Sequence, residues 1–359
     1  MAQITLDHLT KRFGDAVAVQ DLTLELGSGE LVALLGPSGC GKTTTLRMVA
    51  GFETPTEGRV RLGDADVTDA PPEKRNCGMV FQNYALFPHL TVEQNVAFGL
   101  EMRGIDRTEV RRRVGEIVEK VGLRGLSRRY PRQLSGGQQQ RTALARALII
   151  NPSVLLLDEP LANLDAKLRE EMRFYIRSLQ REFHITTLYV THDQAEALVL
   201  ADRVAVLMNG VLQQYDPPER VYQRPRSAAV AGFIGLTNLI PGRVRARAGD
   251  RVVLDTAGGH VSSLGDASLR EGADALLSIR PEHLEFRRPD VSPEDGRNRM
   301  RGTVRERTFL GALIDFRVDV GRDLVLRIQG NVSAPERVGD IVAVSFDPAA
   351  GWALPRGDG

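Results

Sequence analysis

The sequence of 359 residues contains few cysteines, few lysines and no long apolar run. Its two cysteines, Cys40 and Cys77, are too few for a disulfide framework or a cysteine-rich zinc site, so we expect a reducing compartment. Apolar runs stay below the ~18–20 residues that a membrane span requires. The N-terminus alternates apolar and polar residues and lacks the apolar core of a signal peptide. We therefore expect a cytosolic protein.

An excess of positive charge is also missing. The chain has 47 basic and 46 acidic residues, and only five of the basic residues are lysine. An electrostatic nucleic-acid binder would show an excess of basic residues. The net charge of +1 shows no such excess, so we expect no nucleic-acid partner. The hydrophobic fraction of 42% is typical of a globular protein, and the length indicates two domains of ~100–200 residues each.

Residues 1–235 alternate between β-rich runs and helical patterns, which predicts an α/β domain with a central sheet. The clearest strands are 31–35, 154–157, 187–190 and 204–208. Helical patterns cover 43–50, 109–121, 137–150, 166–182 and 194–200.

Beyond a join at 228–242 that is rich in Gly and Pro, the pattern changes to short alternating strands. These strands are 242–246, 251–255, 276–280, 314–320 and 341–346. Separated by Gly and Pro turns, they predict a small all-β barrel or sandwich. We expect a domain boundary near residue 235, with the second domain at 236–359.

The segment GPSGCGKT fits the phosphate-binding pattern G-x-x-x-x-G-K-[ST] between an apolar strand and a helix. Its backbone N–H groups and the helix N-terminus can surround an oxyanion. Lys42 is expected to reach the β- and γ-phosphates, and the Thr43 hydroxyl to bind Mg²⁺. The predicted nucleotide-binding residues of this loop are Gly36, Pro37, Ser38, Gly39, Cys40, Gly41, Lys42, Thr43 and Thr44.

A second apolar strand, 154–157, ends in the adjacent acids Asp158 and Glu159. A carboxylate at the tip of a core strand can hold Mg²⁺, and Asp158 fits that role. Glu159 points to the other side of the chain, where it can polarise a water as general base. Strands often end in polar loops, so this pattern alone is ambiguous; the phosphate loop upstream favours the catalytic interpretation.

The segment LSGGQQQR at 134–141 precedes a helix rich in alanine and leucine. Ser135 and Gln138 match a capping box, which is an ordinary helix start. The two glycines, Gly136 and Gly137, are not needed for a cap and create a second anion-binding surface at an exposed helix N-terminus. LSGGQQQR resembles the signature motif of ATP-binding-cassette (ABC) ATPases, and it lies between the phosphate loop and the acidic strand, as it does in that family.

The resemblance covers the first domain and implies a P-loop ATPase fold with a helical subdomain at about 84–150. Gln82, in MVFQNYALF, resembles the family's glutamine that touches Mg²⁺ and the attacking water. Asp165, in LANLD, resembles the acid of the loop that links the two ATP sites. His192 follows an apolar strand as the family's switch histidine does. Phe13 falls where an aromatic ring stacks on adenine, although Tyr is commoner there and core packing is the alternative.

In this family two subunits dimerise head to tail. The resemblance implies that each ATP lies between one phosphate loop and the partner copy's 135–138 segment, and that Glu159 and His192 carry out hydrolysis. ATP and Mg²⁺ are the implied cofactors. Residues 84–87 would help to form a groove for a helix of a membrane subunit, or would pack in the helical subdomain.

The chain has a single phosphate loop and no apolar run long enough to span a membrane. Within the ABC family this implies a stand-alone ATPase subunit that serves separate permeases. Segments 233–238 and 279–284, FIGLTN and IRPEHL, resemble the TOBE or OB-like accessory domain of bacterial importers. Such importers carry maltose-type sugars, polyamines, ferric iron, sulfate or phosphonates. We expect a homodimer at the cytoplasmic face of the bacterial cell membrane, with permease partners and, indirectly, a solute-binding protein.

Cargo is the least determined expectation, because the ATPase subunit does not contact it in this family. The sequence of residues 299–313 resembles the polyamine and ferric-iron branch of these importers more than the sugar branch. The alternatives are a carbohydrate importer of the maltose type and a soluble ABC ATPase that is not tied to transport.

Overall fold

The computed structural model describes residues 2–287 and 296–356. Contacts within the chain divide it after Pro218 into two units, each with its own apolar core. Among the described residues, no helix combines the length and the apolar character that a membrane crossing requires.

In the described part of the first unit, residues 2–218, ten strands form two sheets. The strands are β1 (Ile4–Phe13), β2 (Ala16–Leu26), β3 (Leu31–Leu35), β4 (Glu57–Leu62), β5 (Ala65–Asp66), β6 (Cys77–Val80), β7 (Val154–Asp158), β8 (Thr186–Thr191), β9 (Arg203–Met208) and β10 (Val211–Asp216). An antiparallel sheet has the order β2-β1-β4-β5. The central sheet has the order β10-β9-β3-β8-β7-β6 and is parallel except for β10. The sequence patterns predict the central sheet, whereas of the antiparallel sheet they indicate only β1, through the strand-like alternation at the N-terminus.

Among the residues described for the first unit there are six helices: α1 (Lys42–Ala50), α2 (Val92–Met102), α3 (Arg107–Lys120), α4 (Gly136–Leu148), α5 (Ala166–Phe183) and α6 (Gln194–Leu200). Short 3-10 turns lie at Pro72–Lys74 and Pro131–Gln133. Helices α2, α3 and α4 all lie within the predicted helical subdomain. Helix α2 is not among the predicted helices, although the Thr91–Gln94 capping box and the apolar spacing of Val92, Val96 and Leu100 indicate it.

Side chains from both sheets and from α1 form one core in the first unit, including the buried Leu6, Leu24, Leu34, Met48 and Leu156. Strands β3 and β7 are buried along their whole length, as expected for parallel strands that are covered on both faces. Each such leucine contributes about 1.5–3 kcal/mol relative to an exposed one. This packing fixes the carboxyl ends of the parallel strands at one edge of the sheet.

The second unit contains the short helices α7 (Pro218–Gln223) and α8 (Ala228–Phe233) and 3-10 turns at Pro281–His283 and Pro348–Ala350. Its strands are β11 (Asn238–Ala248), β12 (Arg251–Thr256), β13 (Gly259–Gly265), β14 (Asp274–Ile279), β15 (Glu285–Arg287), β16 (Asn298–Phe309), β17 (Ile314–Asp319), β18 (Val325–Gly330), β19 (Ile341–Phe346) and β20 (Gly351–Pro355). A closed barrel β11-β12-β13-β20-β14 shares its core with a five-stranded sheet β15-β19-β16-β17-β18. The predicted fold class is confirmed, and the second sheet is an addition to it.

The division after Pro218 lies earlier in the chain than the boundary expected near residue 235. A single buried side chain explains the difference. The Arg280 guanidinium donates to the carbonyl oxygens of Tyr222 (2.8 Å), Ala231 (2.9 Å) and Leu236 (3.1 Å). These bonds fasten the α7–α8 segment to the end of β14, so this segment belongs to the second unit.

Candidate active site

The loop between β3 and α1 is closely packed against the neighbouring strands at its two outer glycines. A Cβ atom at Gly36 would lie 2.2 Å from the carbonyl oxygen of Leu207, and one at Gly41 would lie 2.4 Å from that of Ala18. Gly41 also has a φ of +99°, which disfavours other residues. Only glycine fits at these two positions, so the packing itself explains the motif.

Lys42 opens α1 and is 5% exposed. Its Nζ donates to the carbonyl oxygens of Gly36 (2.8 Å) and Pro37 (2.9 Å), and the buried Cys40 Sγ lies 3.7 Å from it. The predicted phosphate residues Pro37, Ser38 and Gly39 are exposed, whereas Thr43 and Thr44 are half-buried. The structure therefore places a positive charge behind an open rim of backbone at a helix N-terminus, which is a site for an anion.

Asp158 and Thr43 meet where β7 ends and α1 begins. The Thr43 hydroxyl donates to Asp158 Oδ1 at 3.1 Å. Burial raises the pKa of the Asp158 carboxyl, against the hydrogen bond from Thr43. No cluster of three or more His, Cys, Asp or Glu ligands occurs in the described part of the chain. One hydroxyl and one carboxylate suit Mg²⁺ that takes its other oxygens from phosphate and water, so these residues fit the implied ion.

The three predicted catalytic residues lie together. Gln82 follows β6, Glu159 follows β7 and His192 follows β8, and these parallel strands are neighbours in the sheet. Gln82 Nε2 donates to Glu159 Oε2 at 3.2 Å, and His192 Nδ1 lies 3.1 Å from Glu159 Oε1. Glu159 has a φ of +42°, a strained value for a non-glycine residue and one that is common at functional sites. Both carboxylate oxygens of Glu159 are thus oriented by other side chains.

The signature segment forms the capping box that its sequence indicates. Gln138 N donates to Ser135 Oγ at 3.4 Å, and Ser135 N donates to Gln138 Oε1 at 3.0 Å. A Cβ at Gly136 would lie 2.9 Å from Leu164 Cδ2, and one at Gly137 would lie 3.1 Å from a methyl carbon of the Leu168 side chain. The two glycines therefore let α4 approach the first turn of α5 and the segment that precedes it.

Asp165 and Phe13 occupy more peripheral positions. Asp165 caps α5, because its Oδ1 accepts from Leu168 N at 2.9 Å. Phe13 ends β1 and pairs with Ala16 across a hairpin, and its side chain is 50% exposed. Lys11 Nζ lies 4.9 Å from the centre of the Phe13 ring. This exposure favours a binding role for Phe13 over core packing.

Sequence reasoning missed two residues that fix the segment after β6. Asn163 Nδ2 donates to the Gln82 carbonyl oxygen at 2.8 Å. Arg146, on α4, donates to the carbonyl oxygens of Tyr84 and Ala85, both at 2.8 Å. Tyr84 and Ala85 have positive φ values, so Arg146 supports an unfavourable turn. Nothing local in the sequence indicates either contact.

A glycine-rich loop with a buried lysine, next to a strand that ends in two acids, defines a P-loop nucleoside triphosphatase. The chain matches the ABC transporter family over residues 19–162 and the TOBE domain family over residues 277–354. It is 47% identical to the spermidine/putrescine import ATP-binding protein PotA of Rubrobacter xylanophilus, over 96% of this chain and 91% of the relative. The chain belongs to the ABC transporter family and is an ATP-binding ATPase subunit of the import type with a C-terminal TOBE domain.

Other proteins support this membership. The spermidine/putrescine import ATP-binding proteins PotA of Acidothermus cellulolyticus and Thermobifida fusca are 47% and 45% identical to the chain. The alignments cover 97% and 98% of this chain and 92% and 93% of the relatives. A dimeric ATP-binding cassette in a post-hydrolysis state, bound to ADP and Pi, superimposes with a TM-score of 0.54 at 33% identity. That match covers 60% of this chain and 98% of the solved chain.

Proposed function

We propose that this ATPase subunit drives the import of a polyamine, such as spermidine or putrescine, through separate permease subunits. The observation that carries this proposal is the 45–47% identity to three spermidine/putrescine import ATP-binding proteins over 96–98% of the chain. The similarity therefore includes the second unit, whose residues 299–313 favour the polyamine and ferric-iron branch.

We infer that two copies act head to tail at the cytoplasmic face of the bacterial cell membrane. Each ATP would then lie between the loop from Gly36 to Thr44 of one copy and the partner copy's signature segment. Likeness to a dimeric ATP-binding cassette supports this arrangement. The partner copy's contribution would be Ser135, Gly136, Gly137, Gln138 and Asp165. Permease subunits are direct partners in this proposal, and a solute-binding protein acts through them.

In the proposed mechanism the residues of one copy have distinct roles. Lys42 and the loop amides bind the β- and γ-phosphates, and Phe13 stacks on the adenine. Thr43, Asp158 and Gln82 would hold Mg²⁺, which would supply positive charge to neutralise the phosphates.

Glu159 is the general base in this mechanism and takes a proton from the attacking water. Contacts from Gln82 and His192 orient its two carboxylate oxygens toward that water. Because ATP interacts with both copies only in the closed dimer, binding shifts the population toward closure, and hydrolysis releases it.

The proposal is tested by reconstituting the chain with its permease pair in liposomes that enclose ATP, with the solute-binding protein in the outer medium. Spermidine or putrescine is expected to stimulate ATP hydrolysis and to enter the vesicles, whereas maltose and ferric iron leave the rate unchanged. Lys42→Met is the control that removes ATP hydrolysis at the loop. Stimulation by maltose or iron alone would reject the polyamine assignment. An ATPase that does not respond to any permease would reject the transport role.

A further inference from the structure

His192 lies between two residues that are tied to helices. Asp193, which follows it, caps α6 by accepting from Ala195 N at 2.8 Å. The backbone N–H of Asp193 donates to Thr191 Oγ1 at 2.9 Å. Thr191 Oγ1 in turn donates to the buried Glu196 at 2.8 Å. The backbone on both sides of His192 is therefore held by side chains.

Two arginines on successive turns of α5 reach this loop. Arg173 Nη2 donates to Asp193 Oδ2 at 2.9 Å, and Arg169 Nη1 lies 3.8 Å from the same oxygen. Arg169 also donates through Nη2 to the carbonyl oxygen of Leu164 at 3.0 Å. Leu164 immediately precedes Asp165, the N-cap of α5. Arg169 thus contacts both the loop of His192 and the segment that leads into α5.

We propose that Arg169 and Arg173 are positioning residues for ATP hydrolysis, which hold His192 against Glu159 through Asp193 and tie the loop of His192 to the segment before Asp165. This inference rests on the proposed function, in which that segment faces the partner copy. A change in the dimer contact at Asp165 would then reach the loop of His192 through the Arg169 side chain.

Physical considerations favour arginine for this task. Its guanidinium is always charged and offers several donors in a fixed plane, so one side chain can bond a carboxylate and a carbonyl together. The geometry at Glu159 is demanding, because a misplacement of ~1 Å can cost about 10²-fold in rate. Loss of either arginine should therefore lower kcat rather than ATP affinity.

The chain provides a matched control on the same helix. Arg177, one turn after Arg173, has the same side-chain exposure of 16%. Its Nη1 donates to Asp202 Oδ2 at 3.0 Å, and Asp202 accepts from Leu31 N rather than flanking His192. Substituting either arginine removes a comparable pair with an aspartate, but only Arg173 touches the residue after His192.

The test compares R173M with R177M by steady-state ATP hydrolysis and thermal unfolding. We expect R173M to lose about tenfold or more in kcat, with KM changed by less than about twofold. We expect R177M to keep its kcat, while its Tm falls by about as much as the Tm of R173M. R173K, which keeps the charge, should recover most of the lost kcat. Arg169→Met should lower kcat by a smaller factor.

A second variant covers the case in which R173M does not fold. Asp193→Asn keeps the helix cap, since Asn caps as well as Asp, but it removes the charge that both arginines face. It should lower kcat as R173M does, whereas Asp202→Asn should not. Equal kcat values for R173M and R177M, or for the two aspartate variants, would overturn the inference. An inactive unaltered chain would instead refute the proposed function.

Discussion

Asp158 is 9% exposed at the end of β7, and burial raises the pKa of its carboxyl above the ordinary value. A carboxyl whose pKa is higher in the folded chain than in the unfolded chain binds its proton more tightly when folded. The ionised group therefore lowers the stability of the fold as the pH rises from the ordinary pKa to the raised one, and this cost persists at neutral pH.

Asp158→Asn should consequently make the protein more stable and inactive. The amide still accepts from Thr43 but carries no buried charge. We expect the Tm without nucleotide or Mg²⁺ to rise by about 2–4 °C, the shift for roughly 1 kcal/mol in a domain of this size. Calorimetry at neutral pH measures it, with Asp202→Asn as a control that should lower the Tm because Arg177 loses its partner. A lower Tm for Asp158→Asn would contradict this reasoning.

The sequence predicts a site residue only where its chemistry is local. The phosphate loop and the Asp158–Glu159 pair are recognisable because a strand, a spacing and a residue type coincide within a few positions. Asn163 and Arg146 act on backbone 81 and 61 residues away, and Arg173 acts 20 residues away, so no local pattern contains them. The roles of the predicted site residues, Phe13 and Asp165 included, stay predictions, because the groups that they would contact belong to ATP, Mg²⁺, water or a second copy.

Ser135, the N-cap of helix α4, stabilises the helix and, in the proposed dimer, also contacts ATP. Ser135 Oγ accepts from Gln138 N as the helix cap. Ser135→Ala should lower the free energy of unfolding by about 1 kcal/mol and reduce ATP hydrolysis. Ser135→Thr keeps a capping hydroxyl, so it should retain most of the stability. Denaturant unfolding and ATPase assays of the two variants separate these effects; an alanine variant as stable as the unaltered chain would show that the cap contributes nothing.

Elements with an uninterrupted pattern are the ones that the sequence predicts. Strands β3, β7 and β9 contain continuous apolar runs because the sheet is covered on both faces, and β8 contains the shorter run 188–190. Strands β1 and β2 form a longer pairing that is broken by register shifts between Leu6 and Leu9 and between Leu9 and Lys11. The alternation at the N-terminus indicates β1, but such irregularities interrupt the two-residue alternation, so the antiparallel sheet as a whole is not recognisable from its pattern.

At the scale of the whole molecule, the buried Arg280 guanidinium bonds backbone carbonyls of the α7–α8 segment and so joins this segment to the second unit. Arg280→Met would leave these acceptors unpaired, at a cost of at least about 2 kcal/mol. We expect calorimetry to show a lower unfolding transition for the second unit and an unchanged one for the first. If both transitions moved equally, the two units would not unfold separately.

This division was beyond sequence reasoning because α7 and α8 have only six residues each. A short Gly- and Pro-containing stretch looks like a linker until its tertiary partner is known. Composition did predict the larger organisation, an α/β unit followed by an all-β unit, since the change in residue pattern extends over more than a hundred positions.

Hydrolysis by Glu159 at a P-loop site is the claim on which the other roles depend. The most direct measurement is ATP turnover and ATP retention by Glu159→Gln, compared with Lys42→Met. We predict that Glu159→Gln loses about 10²–10⁴-fold in turnover and retains uncleaved ATP after rapid desalting, whereas Lys42→Met retains none. Turnover by Glu159→Gln at the rate of the unaltered chain would contradict the assignment of Glu159 as the base.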